Sequence, residues 1–166
     1  MRQLLYFAIA ALLIGAFVPK LYSNGTPAMT TPARADVAPA AAAASRKVTI
    51  SQSPNGHFET PVSIDGRSVD FMVDTGASMI ALRERDAGKL GIFPVPADYT
   101  ALVATANGRV KAARVQLKKV DIGGVTVRDV AALVLPDEAL GQNLLGMSFL
   151  SQLRWEQKNG KLILEQ

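Results

Sequence analysis

Phe71-Met72-Val73-Asp74-Thr75-Gly76-Ala77-Ser78-Met79-Ile80-Ala81-Leu82 is the stretch on which the reading of this chain turns. Two apolar runs flank a short polar turn, which sets a carboxylate on a bend between two buried strands. Burial raises the free energy of the ionised form, and a second carboxylate nearby raises it further. A pair so placed shares one proton over a useful pH range. One member can then accept a proton from water while the other donates one to a carbonyl.

Outward from that turn, the chain beyond Lys47 alternates short β-prone runs with turn signals, which predicts an all-β sandwich or barrel. Residues 62–64 and 68–73 flank Asp65-Gly66, and residues 102–105 and 109–115 flank Asn107-Gly108. Residues 120–122 and 125–127 flank Gly123-Gly124, and residues 153–157 and 161–165 surround Asn159-Gly160. Such pairs suit type I′ hairpins, whose central residues both need positive φ. Two short helices are expected to interrupt the strands, over residues 83–90 ending at Gly91 and near residues 147–153 after Gly146.

Composition narrows the function classes. The chain has 166 residues and no cysteine, which excludes disulfides, thiolate metal sites and cysteine nucleophiles together. Its one histidine, His57, leaves no cluster for zinc and no Ser-His pairing. His57 follows Asn55-Gly56 and reads as a surface or turn residue. Net charge is +4, but residues 47–166 contribute only +1 of it, so that region is nearly neutral. Lys111, Arg114, Lys118 and Lys119 are interleaved with Ala and Val and read as the solvated face of strands rather than a nucleic-acid footprint. No phosphate-cradling glycine loop is present. Neither a cofactor nor a metal is expected.

The first 46 residues differ in kind. Residues 4–18, LLYFAIAALLIGAFV, are uncharged and lie between Arg2 and Pro19-Lys20, the layout of a signal peptide or signal anchor. Small residues at a cleavage position are poorly placed after this run, which favours an uncleaved anchor, with Leu21, Tyr22 and a snorkelling Lys20 extending its reach. The positive amino terminus would face inward. Residues 23–46 are dominated by Ala, Pro, Thr and Ser without apolar periodicity and read as a disordered tether. The expected organisation is therefore a membrane segment over residues 1–22, a linker over 23–46 and a folded domain over 47–166.

In the order of its motifs, the chain resembles the retropepsin-like aspartic peptidases, and more closely their membrane-tethered bacterial members, over roughly residues 56–166. The resemblance rests on Gly56-His57-Phe58, the Phe71 to Ser78 strand and turn, a central hairpin, the run Asn143-Leu144-Leu145-Gly146-Met147-Ser148-Phe149-Leu150, and a closing hairpin. It implies a small closed β-barrel with one or two short helices, preceded by an N-terminal membrane helix. It makes Asp74 the catalytic aspartate of a peptide-bond hydrolase. Thr75 would hydrogen-bond across a dimer, Gly76 would let the turn form, Ala77 belongs to the same turn, and Ser78 would support the Asp74 carboxylate by a hydrogen bond. Leu144, Leu145 and Gly146 correspond to the segment that threads past the catalytic turn. A flap closing over bound peptide would span about residues 102–115, with Thr105, Ala106, Asn107 and Gly108 at its tip.

The Asp-Thr-Gly triplet occurs once, whereas the mechanism needs two aspartates. The second must come from another copy of the chain, so a homodimer is expected. Asp65, Asp70, Asp86 and Asp121 read as solvated charges, Asp86 because it falls in a polar helix. The substrate would be an extended protein or peptide strand. Together with the anchor, this gives a single-pass protein of the bacterial inner membrane with its domain on the periplasmic side. The alternative is a catalytically silent binding or dimerisation module with the same fold.

Overall fold

The computed structural model describes residues 45–105 and 108–166. The expected membrane segment, nearly all of the linker, and the hairpin residues Ala106 and Asn107 lie outside them. No helix among the described residues is long and apolar enough to cross a membrane.

Strands β2 (Glu59–Ile64) and β3 (Arg67–Val73) are joined by Asp65-Gly66, with Ile64 opposite Arg67. Asp65 has φ 50° and Gly66 φ 88°, the left-handed pair whose twist matches that of the flanking strands. Gly123-Gly124 makes the same kind of turn between β6 (Gly108–Ile122) and β7 (Val125–Leu135). Asn159-Gly160 does so between β9 (Arg154–Lys158) and β10 (Lys161–Glu165).

The remaining hairpin departs from expectation. Thr105, at the end of β5 (Ala101–Thr105), pairs with Gly108, so Gly108 belongs to β6 rather than to the turn where Asn107-Gly108 was expected. β6 also runs unbroken through residues 116–119, where two separate strands were expected. That stretch, Gln116-Leu117-Lys118-Lys119, holds no Gly, Pro, Asn or Asp to turn the chain. One strand therefore serves two purposes. Gly108 to Ala112 pair with β5, and Ala113 to Ile122 pair with β7.

With β4 (Ile80–Arg83) and β8 (Asn143–Leu145), six strands follow the order β2-β3-β8-β4-β7-β6. Ser63 opposite Asp121 and Ile64 opposite Val120 join β6 back to β2 and close the barrel. Closure leaves these strands no free edge. Ile64, Phe71, Ile80, Leu82, Leu117 and Leu145 fill the interior and are almost completely shielded from solvent. Each stabilises the fold by roughly 1.5–3 kcal/mol relative to an exposed side chain. Beside the barrel, β1 (Lys47–Ser51), β10 and β9 form a three-stranded antiparallel sheet in the order β1-β10-β9.

Helix α1 (Glu84–Leu90) ends on Gly91 at φ 84°, as expected, but Arg83 belongs to β4 and serves only as the N-cap. Helix α2 (Met147–Leu150) is a single turn, shorter than residues 147–153. Along α1 the buried residues are Asp86, Ala87 and Leu90. Asp86 is thus not a solvated charge, because it falls on the helix face turned to the barrel and finds its partners there. Lys111, Arg114, Lys118 and Lys119 are exposed on β6, and His57 is exposed beside its turn.

Candidate active site

β3 ends at Val73 and hands Asp74 to a turn held from beneath by β8. β8 runs parallel to β3, with Val73 opposite Leu145, and antiparallel to β4, with Ala81 opposite Leu144. The strand entering the turn and the strand leaving it therefore straddle Leu144-Leu145. Asp74 N donates to Leu145 O at 3.1 Å, and Met147 N donates to Ala77 O at 2.8 Å, so both limbs of the turn are pinned to that segment.

Gly146 is where the two pieces of chain come closest. A Cβ built there would lie 2.3 Å from Met79 O and 2.7 Å from Ala77 O, distances no side chain tolerates. Only glycine lets β8 pass this close beneath the turn. Ser148, the second residue of α2, accepts a hydrogen bond from Ile80 N at 2.9 Å and secures the exit of the turn. Sequence reasoning missed Ser148. Its presence two residues after Gly146, at the start of a helix, was the available signal.

Asp74 is half-buried, while Thr75, Gly76 and Ser78 are exposed. The carboxylate accepts a hydrogen bond from Gly76 N at 2.8 Å. An Asp side chain readily reaches the backbone N–H two residues on, which stabilises the tight turn. The support expected from the Ser78 hydroxyl is thus provided by the Gly76 backbone, and no hydrogen bond joins Ser78 to Asp74 among the described residues. The remaining Asp74 oxygen has no recorded protein donor among them and is free to meet a water or a second carboxyl group.

The turn opens into a cleft of about 430 Å³. Asp74, Gly76, Ala77 and Ser78 line one side, Thr105 and Val103 of β5 another, and Leu133, Leu140 and Leu144 its floor and wall. The turn, one strand of the expected flap and the Leu144 segment are thereby brought together. Leu145 and Gly146 are buried beneath, and Gly108 is exposed at the start of β6. Thr75 lies apart, in a smaller crevice of about 90 Å³ with Trp155. A larger cleft of about 580 Å³ runs past Glu59, Asp70, Arg83 and Gln142. There Glu59 accepts from Ser53 and Asn55, Arg83 is bound to Asp86, and Asp70 is exposed on a strand rather than on a turn. The smaller, more apolar cleft is the one that holds the Asp74 turn. Among the described residues, no group of three or more His, Cys, Asp or Glu is placed to hold a metal ion.

Behind the site lies a buried polar cluster. Asn143, the first residue of β8, donates from Nδ2 to Asp70 O at 2.9 Å and to Asp86 Oδ2 at 3.1 Å, and accepts from Arg83 N at 2.9 Å. Arg83 donates from Nε to Asp86 Oδ2 at 2.8 Å and also from Nη2, while Lys89 Nζ reaches Asp86 Oδ1 at 2.7 Å. Burial alone would raise the Asp86 pKa. Hydrogen bonds from Lys89, Arg83 and Asn143, with the Arg83 charge, outweigh it and hold the carboxyl below its usual range. The cluster fixes the start of β8 to β3, β4 and α1 together.

Residues 60–152 match the family described as "gag-polyprotein putative aspartyl protease". A solved retropepsin-like aspartic protease from Rickettsia conorii is similar in fold, with a TM-score of 0.65 and 37% identity, over 73% of this chain and 91% of that one. Among curated proteins, an uncharacterized protein of Sinorhizobium, named for its place in the cobV 5′ region, is 46% identical over 108 residues. An uncharacterized protein of Rickettsia prowazekii strain Madrid E, RP867, is 39% identical over 111 residues. Each alignment covers 65% of this chain, and the chain spans only about half (46%) of the length of either relative.

Proposed function

This chain belongs to the retropepsin-like aspartic protease family, and from that premise we propose that it is an aspartic endopeptidase whose active site forms between two copies of the chain. The observation that carries this reading is Asp74: a half-buried carboxylate that accepts from Gly76 N, on a residue whose backbone N–H donates to Leu145 O, at the mouth of an apolar cleft. In the dimer, two Asp74 carboxyls face one water and share one proton. The ionised member takes a proton from the water as it attacks the peptide carbonyl, and the protonated member gives its proton to the carbonyl oxygen. Proton transfer to the nitrogen then breaks the C–N bond.

In this reading Thr75 of each turn meets the other chain, and Gly76, Ala77 and Ser78 border the substrate. β5 and the first residues of β6 cover the peptide, which lies extended with alternate side chains in the cleft. Val103, Leu133, Leu140 and Leu144 favour apolar side chains there. Residues 4–18 anchor the protein in the bacterial inner membrane, residues 23–46 serve as a tether, and the domain from Lys47 onward works on the periplasmic side. Confinement to a surface raises effective concentration and favours pairing.

The test is incubation of the full chain, and of its Asp74→Asn variant, with a mixed peptide library at several pH values. Cleavage by the unaltered chain alone, blocked by a transition-state-mimicking aspartic-peptidase inhibitor, supports the reading. Cleavage by both chains contradicts it. Absence of cleavage by a folded, dimeric chain would favour a silent binding module.

A further inference from the structure

At the end of the barrel away from Asp74 lies another cleft, of about 570 Å³, whose charged lining is all basic. Arg46, Lys119 and Arg128 border it together with Thr126, Gln152 and Gln166, and no Asp or Glu does. Lys119 sets its place. Asp65 N donates to Lys119 O at 3.1 Å, and Lys119 N donates to Asp65 Oδ1 at 3.0 Å. The cleft therefore sits beside the Asp65-Gly66 turn, before the first residue of β3, whereas Asp74 follows the last. The seven residues of β3 separate the two by roughly 20 Å, at about 3.3 Å each. Gln166 holds the rim: its side chain accepts from Thr126 N at 3.0 Å, and its backbone N donates to Arg46 O at 3.0 Å.

The cations here are not matched within the chain. Lys119 stands directly opposite Arg128 in the β6–β7 ladder, and like charges so placed repel. Neither of them, nor Arg46, forms an ion pair among the described residues. Of the acids nearby, Asp65 accepts from Lys119 N, and Asp121 accepts from Gly124 N at 3.3 Å and from Thr126 Oγ1. Asp129 follows Arg128 in β7 without pairing with it. Two cations kept face to face, with a third at the rim and no carboxylate among them, suit an anion from outside the chain.

We infer that this cleft docks the domain on anionic phospholipid headgroups, with Arg46, Lys119 and Arg128 meeting lipid phosphates. The choice of occupant rests on the membrane anchoring proposed above. Arg46 is the last residue of the proposed tether, so the anchor of residues 4–18 is joined to the domain at the rim of this cleft. Each Lys or Arg at an anionic surface shifts the balance about fivefold. Tethering raises the local concentration of headgroups, so three such residues suffice where a free domain would need more. Docking at this end turns the Asp74 cleft away from the bilayer, toward peptide segments in the aqueous space rather than segments within the lipid.

The experiment reconstitutes the full chain into vesicles of phosphatidylcholine alone, or of phosphatidylcholine and phosphatidylglycerol in equal parts. Acylation of each lysine by a water-soluble reagent is then followed by mass spectrometry. Lys119 should react about fivefold more slowly on the anionic vesicles, measured against Lys111, which is exposed on the same strand outside the cleft. High salt should abolish the difference, because it screens the attraction. Arg128→Glu should abolish it too, and the variant should fold at least as well, since a glutamate opposite Lys119 makes a favourable pair. The thermal midpoint checks this. Equal Lys119 reactivity on both vesicles, a difference that survives Arg128→Glu, or the same protection from inorganic phosphate added to phosphatidylcholine vesicles would each overturn the inference. Flotation separates it from the anchoring on which it rests. A chain that floats with phosphatidylcholine vesicles but shows no protection of Lys119 leaves the anchor standing without the docking. Protection on anionic vesicles by a chain that does not float with neutral ones leaves the docking standing without the anchor. Peptide cleavage plays no part in the readout, so the peptidase reading stands or falls separately.

Discussion

Asn143 donates its side-chain amide to the Asp86 carboxylate at 3.1 Å inside the domain, and this contact links helix α1 to the strand that supports the Asp74 turn. Both residues are buried, at 1% and 2% exposure. Removing the Asn143 amide leaves Arg83 N and Asp70 O without their partner and withdraws one donor from a buried charge. Asn143→Ala should lower stability by about 2–3 kcal/mol, read as a shift in the urea midpoint with unchanged slope. Asn143→Asp should be no milder, because it places a second carboxylate beside Asp86.

The same cluster sets an acid limb to stability. Asp86 has a folded-state pKa below its unfolded value, so the unfolded chain binds the proton more readily. Its contribution is therefore complete above the usual carboxylate range and is lost as pH falls through the depressed folded value. Thermal midpoints of the unaltered chain should decline on acidification below about pH 4. Asp86→Asn should be less stable at neutral pH and should flatten that decline. An equal decline in both proteins would remove Asp86 as its source.

At Gly146 the account predicts a sharp steric response. Gly146→Ala drives a methyl group into Met79 O and Ala77 O, the backbone of the Asp74 turn itself. Stability should fall by about 1–3 kcal/mol, with cleavage lost even under conditions where the variant remains folded. Gly141→Ala, at a position where an added Cβ meets nothing within 4 Å, is the matched control and should retain stability.

The cleft should discriminate by size. Leu140 lines it without joining the Asp74 turn. Leu140→Ala enlarges the space and should raise kcat/KM for peptides with a bulky apolar side chain, relative to small ones, by about tenfold. An unchanged ratio would move the specificity-determining wall elsewhere.

Much of this architecture was legible in the chain. Asp65-Gly66, Gly123-Gly124 and Asn159-Gly160 fixed hairpins because each pair tolerates the left-handed backbone of a two-residue turn. Phe71 to Ser78 placed Asp74 on its bend, and Leu144-Leu145-Gly146 lay where a close-packed segment was expected. What local pattern could not give was partnership across the chain. Asp86 sits among Glu84, Arg85 and Lys89, so its helix looks polar all round, and its burial depends on Asn143, 57 residues away. Asn143 itself, a polar residue opening an apolar strand, was the hint that a buried acceptor was waiting. The Ser78 hydroxyl yielded to Gly76 N for a related reason: local backbone geometry satisfied the carboxylate first.

The central claim, that one active site is built from the Asp74 of two chains, is tested most directly by mixing. Unaltered chain and Asp74→Asn are combined at constant total concentration, allowed to exchange subunits, and assayed for peptide cleavage. If both carboxylates are needed, activity follows the square of the unaltered fraction and falls to about a quarter at equal proportions. A linear decline to about half would mean that each chain carries a complete site, and would contradict the account.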